Sequence, residues 1–540
     1  MVSRSPRRPR PLPEPVGGPL RRRDSSGSRM VLDPTTAYQV PGQGPIRATV
    51  FTTEALLVRG WHPETEKALE EVANAAGFRV RWDRGRTRDL ELLRGAGLSA
   101  ARTAELEELW VSRARLVPAR RPRHGVYRPL DTWRLLQSYR AAVSDPARRG
   151  DVALEHPAEL GIDPAPYTGT HPYTGTHPYT GTHPYTGTHP YTGTHAASLE
   201  GYALAGSGGR EPVRWLGPAP TTSLETAQRP VVVLLDSGVG EHPWLGRNDV
   251  SHDPEVLGRR IGLRSLQSQA GRRDDVERLV GELGPDAGHG TFIAGLVRQA
   301  CPDARILSVR LFDDTGVVDE YDLLAALQLL CLRQLLALEK DSDVEPFDVV
   351  SLSLGYYHEQ PEDAAFDPLM AGPLSLLGRL GIPVVTSAGN DATERPAYPA
   401  AFAPAVPVRA TDKTVPVSAV GALNPDGTIA MFSNDGPWVG YLRPGAGLVS
   451  TVPTNLDGSA EATNRLVNDL GEVRSTIDPD DFHSGFAVWS GTSFAVPVLA
   501  GEVAAGLAEG LRRTSSRRPQ TAVARANKVL AGLPRRGGTS

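Results

Sequence analysis

From residue 229 onward, short unbroken apolar runs alternate with stretches of helical period. The runs are PVVVLL (230–235), ARILSVRLF (304–312), FDVVSLSLG (347–355), IPVVTSAG (382–389) and VPVSAVGAL (415–423). Between them, helical patterning falls near 289–299, 319–338 and 371–380. A strand that is apolar at every position is covered on both faces, as in a parallel sheet. Strands alternating with amphipathic helices predict an α/β domain with a doubly wound, mostly parallel sheet. No other part of the chain has enough apolar runs for a large core.

The earlier residues pattern differently. IRATVFTTEALLVRG (46–60) reads as a strand or hairpin, PETEKALEEVANAAG (63–77) as an amphipathic helix opened by Pro63, and FRVRW (78–82) as a strand. Helical spacing recurs near 99–112 and 129–143. Residues 46–160 are therefore expected to form a smaller α+β domain. Residues 1–45 are rich in Pro, Arg, Ser and Gly without period, and read as a disordered basic arm. Residues 513–540 read as a basic tail, and Met30 is an alternative start.

Between the two patterned regions, residues 166–195 repeat the hexapeptide PYTGTH five times. Each copy carries a Pro and a Gly, which break helices and interior strands. The period is too short for a helical solenoid and lacks the aliphatic positions of a stacked β-helix. The whole stretch 161–228 is expected to be a flexible linker. Its histidines, five of the chain's 13, could hold zinc or nickel weakly, but not at a fixed geometry.

Composition adds limits. At 540 residues, 40% apolar and 22% charged, the chain has the balance of a globular protein of several domains. A net charge of -4 creates no global field for nucleic acid, although residues 1–30 hold eight arginines against two acids. The two cysteines, Cys301 and Cys331, form no metal-binding or redox pair and read as small buried residues. No secretory h-region follows the basic start, and no run of about eighteen apolar residues suggests a membrane span. The expectation is a cytoplasmic protein without nucleic-acid partner.

The chemistry-bearing residues sit at element ends. Asp236 follows the first apolar run, where a carboxylate needs a compensating partner. His289 opens the small-residue helix GHGTFIAG. Asn390, in SAGN, comes just past the strand IPVVTS. Ser493, in SGTSFAVP, stands at a strand-to-helix turn, with Pro497 expected close to the helix start. Taken singly, these residues read as a turn, a structural histidine, an amide at a strand end and a helix cap. Together, in the order Asp, His, Asn, Ser, they resemble the subtilisin-like serine proteases. LLDSGVGEHPWL, GHGTFIAGL, SLSLG, SAGN and SGTSFAVPVLAG resemble that family's signature segments. VSAVGAL, MFSNDG and RPGAGLVST resemble the stretch ahead of its serine. The resemblance covers about residues 229–512.

It implies a serine endopeptidase with Ser493 as nucleophile, His289 as base and Asp236 orienting the imidazole. Asn390 and the Ser493 backbone N–H would receive the oxyanion. Ser353, Leu354 and Gly355 would form one wall of a groove that takes a protein or peptide substrate as an extra strand, and Ser387, Ala388 and Gly389 the other side of its first pocket. It also implies that residues 46–160 could be an inhibitory N-terminal segment; a permanent accessory domain is the alternative. The histidine helix runs straight into the next strand through LVRQACPDARILSVRLF, without the calcium loop of many relatives, so no metal or cofactor is expected. Residues 452–489 read as a polar surface insertion. A binding or scaffolding protein on a protease-like fold is the competing reading.

Overall fold

The computed structural model describes residues 29–39, 44–83, 85–119, 129–160, 210–263, 283–284, 286–312, 316–339, 342–360, 368–514 and 516–537. The hexapeptides, the first 28 residues and most of the expected linker lie outside these. A seven-stranded sheet forms the centre of the C-terminal region. Its strands, in spatial order, are Val250–His252, Arg305–Arg310, Val231–Asp236, Val349–Leu352, Val384–Ser387, Ser418–Leu423 and Val439–Pro444. Every pairing between them is parallel.

The continuous apolar runs are explained by cover on both faces. Along Val231–Asp236, Val232 and Leu234 join one core, with the helices His289–Ala300 and Thr492–Arg513. Val231, Val233 and Leu235 join another, with Glu320–Ala337 and Pro368–Arg379. This is the doubly wound α/β arrangement expected from the pattern. Thr492–Arg513 is long and apolar enough to cross a membrane by length and composition, but most of its apolar surface is buried in this core. Cys301 and Cys331 are free and buried.

Residues 49–160 build the α+β unit. Its antiparallel sheet has the order Phe78–Trp82, Val111–Pro118, Ala55–Arg59, Val152–Leu154. Leu56, Val58, Ala114 and Leu116 on one face pack with Leu69 of the helix Pro63–Ala75 and with Trp133, Leu136 and Tyr139 of the helix Thr132–Ala142. Leu57 and Val111 on the other face share a core with the helices Glu320–Ala337 and Pro368–Arg379. The smaller unit is thus seated on the larger one. Its last strand, Pro157–Leu160, leaves it altogether and inserts antiparallel between Val317–Asp319 and Leu354–Tyr357.

Four segments depart from the sequence reading. Within the arm 1–45, expected to be disordered, Arg29–Leu32 forms a strand antiparallel to Thr49–Thr52, and Leu32 joins the core of the N-terminal unit. Residues 210–228, expected in the linker, lie on the C-terminal unit: Glu211–Pro212 pairs with Phe486–Trp489, and Ser223 and Leu224 donate their N–H groups to Asp303 at 2.6 and 2.8 Å. The expected basic tail contains a helix, Pro519–Gly532, which buries Val523, Ala526 and Leu530. Its spacing is amphipathic, but flanking arginines mask it in the composition. The ends of the expected insertion are integral: Phe486–Trp489 pairs with Leu448–Thr451, while Arg465–Val467 and Val473–Ser475 form an exposed hairpin.

Candidate active site

Parallel strands bring their carboxyl ends to one edge, where loops and helix starts meet. Asp236 ends one central strand, Ser353 follows its neighbour Val349–Leu352, and Asn390 follows Val384–Ser387 after Ala388 and Gly389. The helices that carry His289 and Ser493 both start at this edge.

Asp236 and His289 are buried and bonded to each other. The imidazole Nδ1 lies 2.9 Å from Asp236 Oδ1 and 3.1 Å from Oδ2. Close approach requires Gly290, because a Cβ there would stand 2.1 Å from the Gly238 carbonyl oxygen and 3.0 Å from Asp236 Oδ1. Ser237 ties the two elements. Its N–H and hydroxyl donate to Asp236 Oδ1 (2.8 and 3.2 Å), and its hydroxyl accepts the Gly290 N–H at 3.0 Å. Burial alone would push His289 down, but the charge and hydrogen bond of Asp236, with the charge of Asp286, outweigh it. The imidazole is therefore held above its ordinary range, with Arg210 opposing the rise.

Ser493 is the second residue of the long helix Thr492–Arg513 and is 2% exposed. The following residue, Phe494, packs its ring 5.2 Å from that of His289. Pro497 stands six residues into the helix, deeper than its expected place at the start. Without an N–H, it leaves the Ser493 carbonyl unpaired within the helix. Ser353 fills that gap, its hydroxyl donating to the Ser493 carbonyl at 2.9 Å, while Ser493 Oγ lies 3.4 Å from the Ser353 carbonyl. The helix interruption thus fastens the serine turn to the end of the central strand Val349–Leu352.

The Asn390 side chain is turned by Thr492. Its Oδ1 accepts the Thr492 N–H at 2.9 Å and the Thr492 hydroxyl at 2.7 Å. The amide Nδ2 is thereby directed to the Gly491 side, 3.7 Å from where a Cβ on Gly491 would be. Asn434 fixes the preceding turn: its Oδ1 accepts from the Asp391 N–H (2.8 Å) and its Nδ2 donates to the Ala388 carbonyl (3.1 Å). Gly389, at φ 105, donates its N–H to Thr492 Oγ1 at 3.3 Å. Ser387 and Ala388 are buried behind it.

Leu354 and Gly355 are paired with Leu160 and Glu159 of the N-terminal unit, and the Leu160 N–H donates to the Gly316 carbonyl at 3.3 Å. The edge that the sequence marks for an incoming strand is filled by the chain's own. Sequence reading missed Ser237, Thr492, Asn434 and Arg210. The first three sit inside the quoted motifs, but no pattern separates them from ordinary turn residues. Arg210 lies in a segment without periodicity.

A model of the subtilase family (peptidase S8) matches residues 227–526, more than half of the chain. The chain belongs to the subtilase family. This subtilase is similar to the thermophilic serine proteinase of Bacillus sp. (strain AK1), 27% identical over 177 residues, 31% of this chain and 36% of that protein. It is also similar to the major intracellular serine protease of Bacillus subtilis (strain 168), 23% identical over 247 residues, 43% of this chain and 63% of that protein. The chain thus spans less than two thirds of the length of either. Among solved structures it is similar to a lanthipeptide protease (TM-score 0.35, 19% identity, 55% of this chain and 78% of that one). A cold adapted subtilisin-like serine proteinase is similar at TM-score 0.34 and 18% identity, over 60% of this chain and 89% of that one.

Away from this subtilase's strand edge, Asp457, Asp481 and His483 of the insertion bring ligand atoms within 4.8 Å of one another. Asp481 and His483 are bonded to each other at 2.6 Å.

Proposed function

We propose that the chain is a serine endopeptidase acting through Asp236, His289 and Ser493. The observation that carries this reading is the buried Asp236–His289 hydrogen bond, set against the first turn of the helix that presents Ser493. A serine hydroxyl is a poor nucleophile near neutral pH, so attack on a peptide carbonyl requires a base. His289 takes the Ser493 proton as the bond to the carbonyl carbon forms, then delivers it to the leaving amine. Asp236, bonded to Nδ1, keeps Nε2 as the nitrogen that exchanges the proton and stabilises the imidazolium. Water then enters by the same route and hydrolyses the acyl-enzyme.

The oxyanion of each tetrahedral intermediate is received by the Ser493 backbone N–H and Asn390 Nδ2. Two observations support this. N–H groups in the first turn of a helix lack intrahelical partners, and Thr492 occupies the Asn390 oxygen so that its NH2 is the free end. Each such donor is typically worth about 3–4 kcal/mol to the transition state.

The substrate is a protein or peptide bound as a strand along Leu354–Gly355 and Val317–Val318. Residues 46–160 act as an inhibitory segment in this reading. Their strand Pro157–Leu160 is hydrogen-bonded on both sides in the position a substrate would take. Self-cleavage beyond Leu160 and departure of that strand would open the groove.

The test labels the protein with a fluorophosphonate and maps self-cleavage by mass spectrometry, with Ser493→Ala as control. Labelling at Ser493, with a cut between residues 160 and 210, is expected. A chain that neither labels nor cuts itself or a peptide, with or without removal of residues 1–160, would overturn the reading.

A further inference from the structure

The last part of the expected linker reaches the catalytic centre. Arg210 is fully buried. Its Nη1 donates to the Ala287 carbonyl and its Nη2 to the Gly284 carbonyl, each at 2.9 Å. Its guanidinium carbon lies 4.9 Å from the ring centroid of Trp489 and 5.9 Å from that of Phe482. Burying a guanidinium is costly because it does not lose its charge, so a site that accepts one must supply acceptors and a polarisable face. This site supplies both, from the turn before His289 and from the strand Phe486–Trp489.

The carbonyls belong to the turn that starts the histidine helix. The Ala287 N–H donates to the Gly284 carbonyl (3.1 Å), the His289 N–H to the Asp286 carbonyl (3.0 Å), and Gly288 holds φ 80 between them. Trp489, on whose face Arg210 lies, meets the His289 ring edge-on at 5.6 Å and 88°. One side chain therefore clamps the backbone before His289 and the indole against its ring. The next residues fix Arg210 in turn: Glu211 and Pro212 pair with Val488 and Ala487, and the Val213 N–H donates to the Phe486 carbonyl at 3.1 Å.

We propose that Arg210 is a positioning residue of the catalytic centre, holding His289 in register with Asp236 through the turn at Gly284–Ala287 and through Trp489. This inference rests on the peptidase reading for its kinetic consequence, though not for its geometry. The charge has a second effect. Asp236 and Asp286 favour the imidazolium, while burial and Arg210 oppose it. A cation at this place keeps the base from being over-stabilised in its protonated form. It also bounds maturation: a cut after Leu160 must fall before Arg210 if the mature enzyme is to keep the clamp.

The experiment uses the full chain with Arg210→Gln and Arg210→Lys. Arg210→Gln is expected to lower kcat about tenfold with KM nearly unchanged, since small misplacements of a catalytic group are costly. It should also move the acid limb of the pH–rate profile to higher pH. Arg210→Lys, which keeps a charge but not the two-carbonyl fork, should restore the acid limb and only part of kcat. In a Ser493→Ala background, NMR titration of the His289 imidazole, assigned with His289→Gln, should show the same upward shift in Arg210→Gln alone. A lower melting temperature with unchanged kcat, acid limb and imidazole titration would make Arg210 merely structural and overturn the proposal. Where Arg210→Gln yields no folded chain, Arg210→Lys decides: lost kcat at a fixed acid limb supports the clamp, and full kcat overturns it. Failure of the parent chain to label overturns the peptidase reading instead, while the imidazole titration still judges Arg210.

Discussion

Among the described residues four histidines are buried, and two of them, His289 and His156, have surroundings that differ by one carboxylate. His289 meets Asp236 through Nδ1, and both oxygens of that carboxylate face the same nitrogen. His156 sits where the N-terminal unit joins the C-terminal one, with Nδ1 3.0 Å from Glu320 and Nε2 3.1 Å from Glu359. It stacks on Tyr356 at 4.8 Å, and the hydroxyl of Tyr356 donates to the other oxygen of Glu320 at 2.9 Å. Burial pushes both rings down. One carboxylate, helped by Asp286, raises His289, whereas two raise His156 to about 10. An imidazole with a carboxylate on each nitrogen is a fixed cation. One with a carboxylate on Nδ1 alone can still exchange a proton at Nε2. On the proposed mechanism, the same side chain is thereby a base at one place and a domain fastener at the other.

Removing the rings should separate these roles most sharply. His289→Ala is expected to lower kcat by about 10⁶-fold, because the members of such a triad act as a unit. Its melting temperature should change far less in proportion. Single-turnover kinetics on a peptide ester, beside thermal unfolding of the same sample, reads both. A His289→Ala chain that keeps substantial turnover would erase the contrast.

His156→Ala should do the reverse. It removes the cation shared by the buried Glu320 and Glu359, leaving Glu359 with Arg140 at 3.9 Å, and breaking such a buried pair typically costs about 3–5 kcal/mol. The strand Pro157–Leu160 should then leave the groove more often. Fluorophosphonate labelling of the uncut chain should be faster, with kcat of the mature enzyme unaltered. Unchanged labelling together with a lower kcat would place His156 in catalysis and remove the distinction.

A smaller effect comes from pH. His156, raised to about 10, stabilises the docked state fully below its ordinary value near 6.5, and that contribution is lost as pH rises through about 10. Glu155, next to it, is raised to about 7, first by burial and then by Asp319 and Asp322 against the pull of Arg113. Its docked form keeps a proton that the free form gives up, so its contribution falls as pH rises from about 4.5 to about 7. Both signs agree: docking weakens toward alkaline pH. Hydrogen exchange at residues 157–160 in Ser493→Ala, corrected for intrinsic rates, should be faster relative to the core at pH 9 than at pH 6. The opposite trend would contradict the assignment of these groups to the interface.

The contrast between the histidines was only half legible in the sequence. The strand ends that carry Asp236, Ser353 and Asn390 follow from the apolar runs, because a parallel sheet puts all its carboxyl ends on one edge. The motif order then brings His289 and Ser493 to that edge. His156 carries no such signal. Its partners lie 164 and 203 residues away, and nothing local marks Pro157–Leu160 as a strand of another unit's sheet. Arg210 was illegible for a related reason: its acceptors are backbone carbonyls, which any residue provides. The helix Pro519–Gly532 was overlooked because small residues and flanking arginines hide its buried stripe of Val523, Ala526 and Leu530.

The smallest effect is expected where the sequence looks most conspicuous. The five hexapeptides lie outside the described residues, and each group argued for above lies outside 166–195. Were they a tether, halving the length between Leu160 and Arg210 would change the closure entropy by only about 0.6 kcal/mol. Deleting three copies should therefore leave kcat/KM of the mature enzyme and the labelling rate of the uncut chain within about twofold. Replacing every repeat histidine with glutamine should be equally silent, with or without added zinc, because the partners described for His289 and His156 all lie elsewhere in the sequence. A collapse of activity on deletion would assign the repeats a contact with one of the two histidine sites. Titrating copy number against labelling rate and against mature kcat would then tell which: the first reports docking at His156, the second proton transfer at His289.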